Sequence, residues 1–398
     1  MAPHRIRRGA PPTGQSARSA CGPILDPMRS GPQVLVFPTF DENPYLNLLG
    51  LAPRANGFRF LGSDTYRALI RQASRLGHGD VLHIHWTTPL LQQAPSEAAA
   101  VRRLRGLTAL FSRLRRRRIR IVWTLHNRLP HELRHRTLEI RLYRALAAAA
   151  DVIHVMSPAT AEVVADVVAL DPAKVRMLPH PSYEGIYDTG IDRAAARASF
   201  GLADDERAVL FFGQIRPYKG VTELISAAAR AADTGGQPIR LLLAGAVKEQ
   251  SREEFAASIP PGLGAIAHLD YVPDADLARW FRAADLAVFP YRSILNSGSV
   301  HLAATFTLPV VLPDEPHLRR QFGSRAWVRF FDVEDAVGSI SDLLTAPLPA
   351  VDGADWDDFL RELSPWEVSR GYAAMLAELS DWQAPRGMLS ADAAGTVR

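Results

Sequence analysis

Three stretches concentrate side chains able to bind anions or move protons. GQIRPYKGV (213–221) follows the apolar run AVLFFG. There Gly213 permits a tight turn, and Arg216 and Lys219 place two cations at the start of a helical pattern, whose free N–H groups and dipole also favour anions. This is a diphosphate site in outline, against the plainer reading of a solvated basic loop. FPYRSILNSGSVHLAATFTLPVV (289–311) carries Tyr291 and a turn of small polar residues, Asn296, Ser297, Gly298 and Ser299. Amides and hydroxyls at such a helix start can hold phosphate or ribose oxygens; an ordinary Ser/Asn cap competes with that reading. VWTLHNRLPHE (122–132) gathers His126, Asn127, His131 and Glu132 behind a strand, where histidine and carboxylate can orient a hydroxyl, neutralise a departing phosphate or transfer a proton. Neighbouring strand ends add His85 in HIHW, Asp41, Glu42, Asn43 and Tyr45 in FPTFDENPY, and His180 in LPHPSY.

These loops need a scaffold, and the chain supplies alternating β-branched runs and amphipathic stretches, the signature of βαβ units. One series has strands at 33–37, 81–85, 119–125, 151–156 and 175–178, with helices near 64–76, 96–117, 132–149 and 158–168. A second has strands at 208–213, 239–245, 266–271, 286–290, 309–313 and 326–331, with helices near 220–232, 249–258, 274–284, 299–306 and 315–321. The aperiodic PHPSYEGIYDTG (179–190) reads as the link between them. The expected architecture is α/β, with two Rossmann-like doubly wound domains, 31–182 and 183–363, facing across a cleft. Ligands in such sheets bind beyond the carboxyl ends of the strands. The segment 364–383 predicts a closing helix that packs back, its apolar face formed by Trp366, Val368, Tyr372, Met375, Leu376 and Leu379. The basic segment 1–30 and the end 384–398 are expected to be disordered tails, and Met28 offers an alternative start of translation.

Composition narrows the class. With 47% hydrophobic and 22% charged residues among 398, the chain matches a soluble globular protein, and no run reaches the roughly 18 apolar residues of a spanning helix. A single cysteine, Cys21, excludes an intrachain disulfide framework and fits a reducing cytoplasm. Residues 31–182 carry 21 basic against 11 acidic side chains, while the 216 residues after them carry 20 against 30. The basic half therefore suits an anionic neighbour. The arginine-rich 102–120 interleaves with Leu104, Leu107, Leu110, Phe111 and Leu114, an amphipathic helix suited to an anionic membrane surface or to plain solvation rather than to nucleic acid. Asp274 and Asp276 read as a helix cap rather than a metal motif, and His83 and His85 lack the spaced partners of a zinc site. Neither GxGxxG, GxxxxGK[ST] nor GxSxG follows a strand.

Taken together, FFGQIRPYKGV, the ADLAVFPYRS to LPVVLPD block, TLHNRLPHE, HVMSPATAEVV and the early NPY resemble the GT-B nucleotide-sugar glycosyltransferases of bacterial exopolysaccharide and glycoconjugate synthesis. The resemblance implies a donor nucleotide in the second domain, an acceptor in the first, and no cofactor or obligatory metal. It casts Gly213, Arg216, Lys219, Tyr291 and Asn296 to Ser299 as donor-binding, and His126 as facing the transferred sugar. Asn43, Tyr45, His85, Asn127 and His180 then belong to the acceptor side. Many retaining members carry two glutamates eight positions apart where this chain has Ile294 and Leu302, so the anomeric outcome stays open; for inversion Asp41 and Glu132 are the candidate bases. The expected activity is transfer of a hexose from a UDP- or GDP-sugar to a saccharide, lipid-linked or small-molecule acceptor, in the cytoplasm or peripherally at the inner membrane face. A nucleotide-sugar epimerase and a non-catalytic nucleotide-sugar binding protein are the alternatives.

Overall fold

The computed structural model describes residues 31–39, 43–292 and 294–383. Their strands form two parallel sheets of six. The first contains β1 (Gln33–Phe37), β2 (Arg59–Gly62), β3 (Val81–Ile84), β4 (Arg120–Thr124), β5 (Val152–Val155) and β6 (Val175–Met177), in the order β2-β1-β3-β4-β5-β6. The second contains β7 (Arg207–Phe212), β8 (Ile239–Ala244), β9 (Ala265–His268), β10 (Leu286–Val288), β11 (Val310–Pro313) and β12 (Val328–Phe331), ordered β12-β11-β10-β7-β8-β9. Both are doubly wound. The winding reverses between β1 and β3 in one sheet and between β7 and β10 in the other, and loops diverge at such points to leave a crevice.

The strands are apolar throughout because helices cover both faces of each sheet. In β1, Val34 and Val36 pack on one side with Val81, Val122 and Val152, while Leu35 and Phe37 pack on the other with Leu82, Ile84, Ile121 and Trp123. The exceptions are edge strands: β6, VRM, and β9, AIAH, are half-buried or exposed, and β2, RFLG, carries mostly exposed side chains. It has no alternation to betray it in the sequence. The helices Pro44–Leu49, Leu51–Ala55, Arg193–Ser199, Ala336–Thr345 and Gly353–Glu362 also lack a sequence forecast, and the one expected at 158–168 contracts to Thr160–Val163. Asp274 and Asp276 do not cap their helix: it starts at Asp274 itself, and both acids sit in the first turn, where they complement the dipole.

The last helix, Pro365–Ser380, closes under the first sheet. Val368, Tyr372, Met375 and Leu376 join the Val34–Val36 face, and Ser369 Oγ accepts from the Ala52 amide and donates to the Leu49 carbonyl, both at 2.8 Å. Trp366, expected on the buried face, is exposed instead. The two sheets also interlock: Leu48 packs in the core of the second and Leu295 in that of the first. The expected terminal tails lie outside the described residues. Among the described residues no helix is long and apolar enough to cross a membrane.

Candidate functional site

The loops at the second switch point converge on Gly213. With φ +121, this residue takes a conformation that L side chains rarely adopt, and the point a Cβ would occupy lies 3.2 Å from Lys219 Nζ and 3.5 Å from Ser299 Oγ. The loop after β7 and the turn after β10 thus present a cation and a hydroxyl to one spot. Lys219 also lies 5.3 Å from the Tyr291 ring centroid, and Tyr291 Oη reaches Ser297 Oγ at 3.5 Å. Ser297 occupies the N-cap position of the helix Gly298–Thr305 without its side chain capping it, so this is not the ordinary cap of the competing reading. Open amides at the helix start add to the anion-attracting character of the spot.

Arg216 lies a few ångströms along the same loop, already engaged. Its Nη1 donates to Glu132 Oε1 at 3.0 Å and to Glu249 Oε1 at 2.7 Å, and its Nε to Gln214 Oε1 at 3.0 Å. Glu249 is brought alongside by the parallel bridge between Ile215 and Val247. Glu132 reaches across from the first sheet's loop after β4, so the expected base is held by the expected phosphate ligand. His131 stacks on Tyr218, 4.0 Å between centroids. Packing of its ring, then Lys219 and Arg216, lower its pKa, a local sign of the positive field here.

The first switch point supplies the other wall. Asn43 caps the helix Pro44–Leu49 by accepting from the Tyr45 amide, which aims Tyr45 at the histidines after β3 and β4. Its ring lies 5.4 Å from His126 and 5.0 Å from His180, and its buried Oη has no hydrogen-bond partner among the described residues. Trp86 stacks on His126 at 4.2 Å, and Asn296 Nδ2 bridges the cleft to the His126 carbonyl at 3.0 Å. Together with Asn127, Tyr183 and Gly298 these residues enclose a cavity of about 230 Å³. It continues past Asn43, Trp86 and Asn127 into a wider one of about 480 Å³ that ends at Glu132, Arg216 and Tyr218.

The inner cavity is uncharged. Burial pushes His126 well below the usual histidine range, with help from His85, His154 and His180; burial likewise brings His180 down to about 3 and His301 to about 4. Tyr45 and Tyr183 are pushed upward by burial. Neutral rings, phenols and amides of this kind suit a polyhydroxylated, uncharged ligand.

Beneath the cavity a hydrogen-bond chain fixes its own direction. The Leu178 carbonyl can only accept, so His154 Nε2, 2.9 Å away, carries the proton. Burial lowers His154 to about 4, which leaves Nδ1 bare to accept from Thr124 Oγ1 at 2.9 Å. Thr124 then accepts from His83 Nε2 at 2.7 Å, and His83 Nδ1 accepts from Tyr372 Oη at 2.6 Å. The last helix is thereby tied to three strand ends. His83 serves this network and not a metal; among the described residues no group of three or more His, Cys, Asp or Glu is placed to hold one.

The expected donor-side residues Gly213, Arg216, Lys219, Tyr291, Asn296, Ser297, Gly298 and Ser299 therefore share one wall, with Asn296 turned across the cleft rather than toward a phosphate. Asn43, Tyr45, His126, Asn127 and His180 share the other. His85 departs from its expected place among acceptor ligands: it sits behind His126, bonded to it. Asp41 and Glu42 lie outside the described residues. Trp86, Tyr183, Glu249 and His301 join the site without a sequence forecast of their roles, although Trp86 and Glu249 stand in the loops that leave β3 and β8.

Residues 192–352 match the family model of glycosyl transferases group 1. The chain is 28% identical over 334 residues to the GDP-mannose:glycolipid 4-beta-D-mannosyltransferase of Xanthomonas campestris pv. campestris, an alignment covering 80% of this chain and 86% of that protein. Among solved structures, sucrose-phosphate synthase from Thermosynechococcus elongatus superposes with a TM-score of 0.65 at 15% identity, covering 88% of this chain and 98% of that one. Anabaena HepE in complex with UDP-glucose does so with 0.61 at 13%, covering 87% and 99%. Such structural likeness establishes the fold and not the chemistry. The family match falls on the sheet that carries the anion-binding loops, and the bacterial relative extends the similarity across the other: the chain has the GT-B fold, and its second half is similar to glycosyl transferases group 1.

Proposed function

We propose that the chain transfers a hexose from a GDP- or UDP-linked donor to a hydroxyl of a saccharide or lipid-linked acceptor, with inversion and without an obligatory metal. GDP-mannose is the donor to test first, given the relative's name. The observation that carries the reading is the convergence of Lys219, Ser299 and a helix N-terminus at Gly213, beside an uncharged cavity faced by His126. In this reading the diphosphate lies against Lys219, the helix start and a released Arg216, and the hexose enters the neutral cavity. The acceptor oxygen attacks the anomeric carbon as the bond to the phosphate oxygen breaks. The bonding pair leaves with the diphosphate, whose developing charge those preorganised cations and dipoles stabilise.

Inversion is supported by what stands at the two positions where retaining members carry acids: Ile294 and Leu302, the latter 6% exposed and in the second core. His126 faces the neutral cavity that takes the hexose, whereas Glu132 stands at the outer end of the wider one, so His126 is the base for the acceptor proton. The exposed arginine face of the helix Glu97–Arg116, which has no carboxylate partners among the described residues, supports peripheral docking on an anionic membrane. The test is calorimetric titration with GDP and UDP in EDTA, then NMR of the sugar first released by slow hydrolysis of the bound nucleotide sugar. Binding in EDTA and release with configuration opposite to the donor's are expected. Retained configuration, or binding only with a divalent ion, overturns the respective part.

A further inference from the structure

His126 is an awkward base by itself, because its surroundings oppose the imidazolium that accepting a proton would create. The structure offers an exit. His85 Nδ1 lies 3.0 Å from His126 Nε2, and no other described group hydrogen-bonds the His85 ring. His85 does not line the neutral cavity; it lines a second one, of about 200 Å³, with Val36, Leu46, Leu49 and Tyr372. That cavity reaches solvent past the exposed Asn47, Arg54, Leu61 and Gly62. His83 stacks on His85 at 3.9 Å, but both its nitrogens are committed to Tyr372 and Thr124, so it holds the ring in place and exchanges nothing.

Resting on the inverting reading above, we infer that His85 relays the acceptor proton from His126 into this second cavity. Before transfer, His126 carries its proton on Nε2 and donates to His85 Nδ1, while His85 carries its own on Nε2. As the acceptor oxygen bonds to the anomeric carbon, its proton passes to His126 Nδ1. The Nε2 proton of His126 passes to His85 Nδ1, and the Nε2 proton of His85 leaves to water in the second cavity. Each imidazole gains one proton and loses one, so neither holds a charge. Burial and the neighbouring histidines lower both rings well below 6.5, which makes such a concerted exchange the route by which they can serve as a base. Return of the tautomers after each turnover needs only water.

The first measurement is nitrogen NMR of the histidine-labelled protein at pH 7, with His85→Asn to assign the pair. Bare Nδ1 and protonated Nε2 on both rings are expected; a proton on His85 Nδ1 donated to His126 overturns the relay, whatever the donor proves to be. The second is GDP release from GDP-mannose with water as nucleophile, UDP-glucose serving if GDP-mannose is inert. His85→Asn keeps a hydrogen-bonding group near His126 but cannot relay. It should lower kcat about 100-fold, within the usual worth of acid–base catalysis, with GDP affinity unchanged, and the wild type should show more than one proton in flight in mixed H₂O and D₂O. Full activity in His85→Asn, or a single proton in flight, refutes the relay. Full activity in His126→Ala instead refutes the inverting base itself, and normal GDP binding by each variant shows that it folds.

Discussion

Arg216 enters the unliganded site already paired, and that has a measurable consequence for donor affinity. Any diphosphate that takes Arg216 must first detach it from Glu249 and Glu132, whose side chains are 47% and 57% exposed. Such half-solvated pairs hold about 0.2–1 kcal/mol each. Removing the Glu249 charge should return that amount to binding: Glu249→Gln is expected to tighten GDP or UDP by about 1.4- to fivefold. A charge-assisted bond to phosphate gives about 1.5–3 kcal/mol, of which breaking the two pairs consumes a part. Arg216→Ala should therefore weaken binding by only about 5- to 30-fold, less than a free arginine would imply. Calorimetric titration of the two single variants and the double variant tests the coupling directly. The Glu249→Gln gain must vanish once Arg216 is gone. If the gain persists in the double variant, or if Glu249→Gln binds more weakly, competition for Arg216 is refuted; a gain abolished by modest salt would point to general screening of charge.

Tyr372→Phe removes the donor at the end of the buried chain and leaves His83 Nδ1 unmet, which should cost about 1–3 kcal/mol in urea unfolding at unchanged m-value; a loss under 0.5 kcal/mol contradicts the assigned direction. His154 and His301 at about 4 and His180 at about 3 stay neutral in the fold, whereas unfolded histidines protonate near 6.5. Below that pH the unfolded chain takes up protons the fold refuses, so stability present above pH 7 should fall toward pH 4 by up to roughly 1.4 kcal/mol per pH unit per histidine; a flat urea midpoint from pH 7.5 to 5.5 contradicts it. Gly220 has φ +64, and a Cβ there would stand 1.9 Å from the Pro290 carbonyl oxygen, so Gly220→Ala should cost at least about 1 kcal/mol and weaken nucleotide binding by displacing Lys219; unaltered urea and GDP titrations would show that the loop yields freely. Replacing Arg113, Arg115 and Arg116 by Ala should reduce co-sedimentation with phosphatidylglycerol vesicles about 100-fold, at about 1 kcal/mol per arginine near an anionic surface, and equal binding to phosphatidylcholine would dismiss the membrane face.

The residues alone determined a good deal. Runs such as LLLA and VLVF are apolar at every position because both faces of a parallel strand are buried, so eleven strands and the βα alternation were legible. Gly213, Arg216 and Lys219 were legible because a tight turn and a cationic helix start are local requirements, and the absent acids at Ile294 and Leu302 needed no coordinates. The edge strand RFLG was not, since only Phe60 of its four side chains packs on the core and no alternation records it. Nor could any local signal say that β10 lies beside β7, which makes Ser299 meet Lys219, or that Glu249 would claim Arg216. His83 and Tyr372 stand 289 residues apart and bond only because the last helix returns to the first sheet. Sequence patterns register what each segment must bury and where it must turn. Which loops then meet is decided by strand order and by packing between distant segments, and in this chain those terms turned His85 from a cleft ligand into the group behind His126.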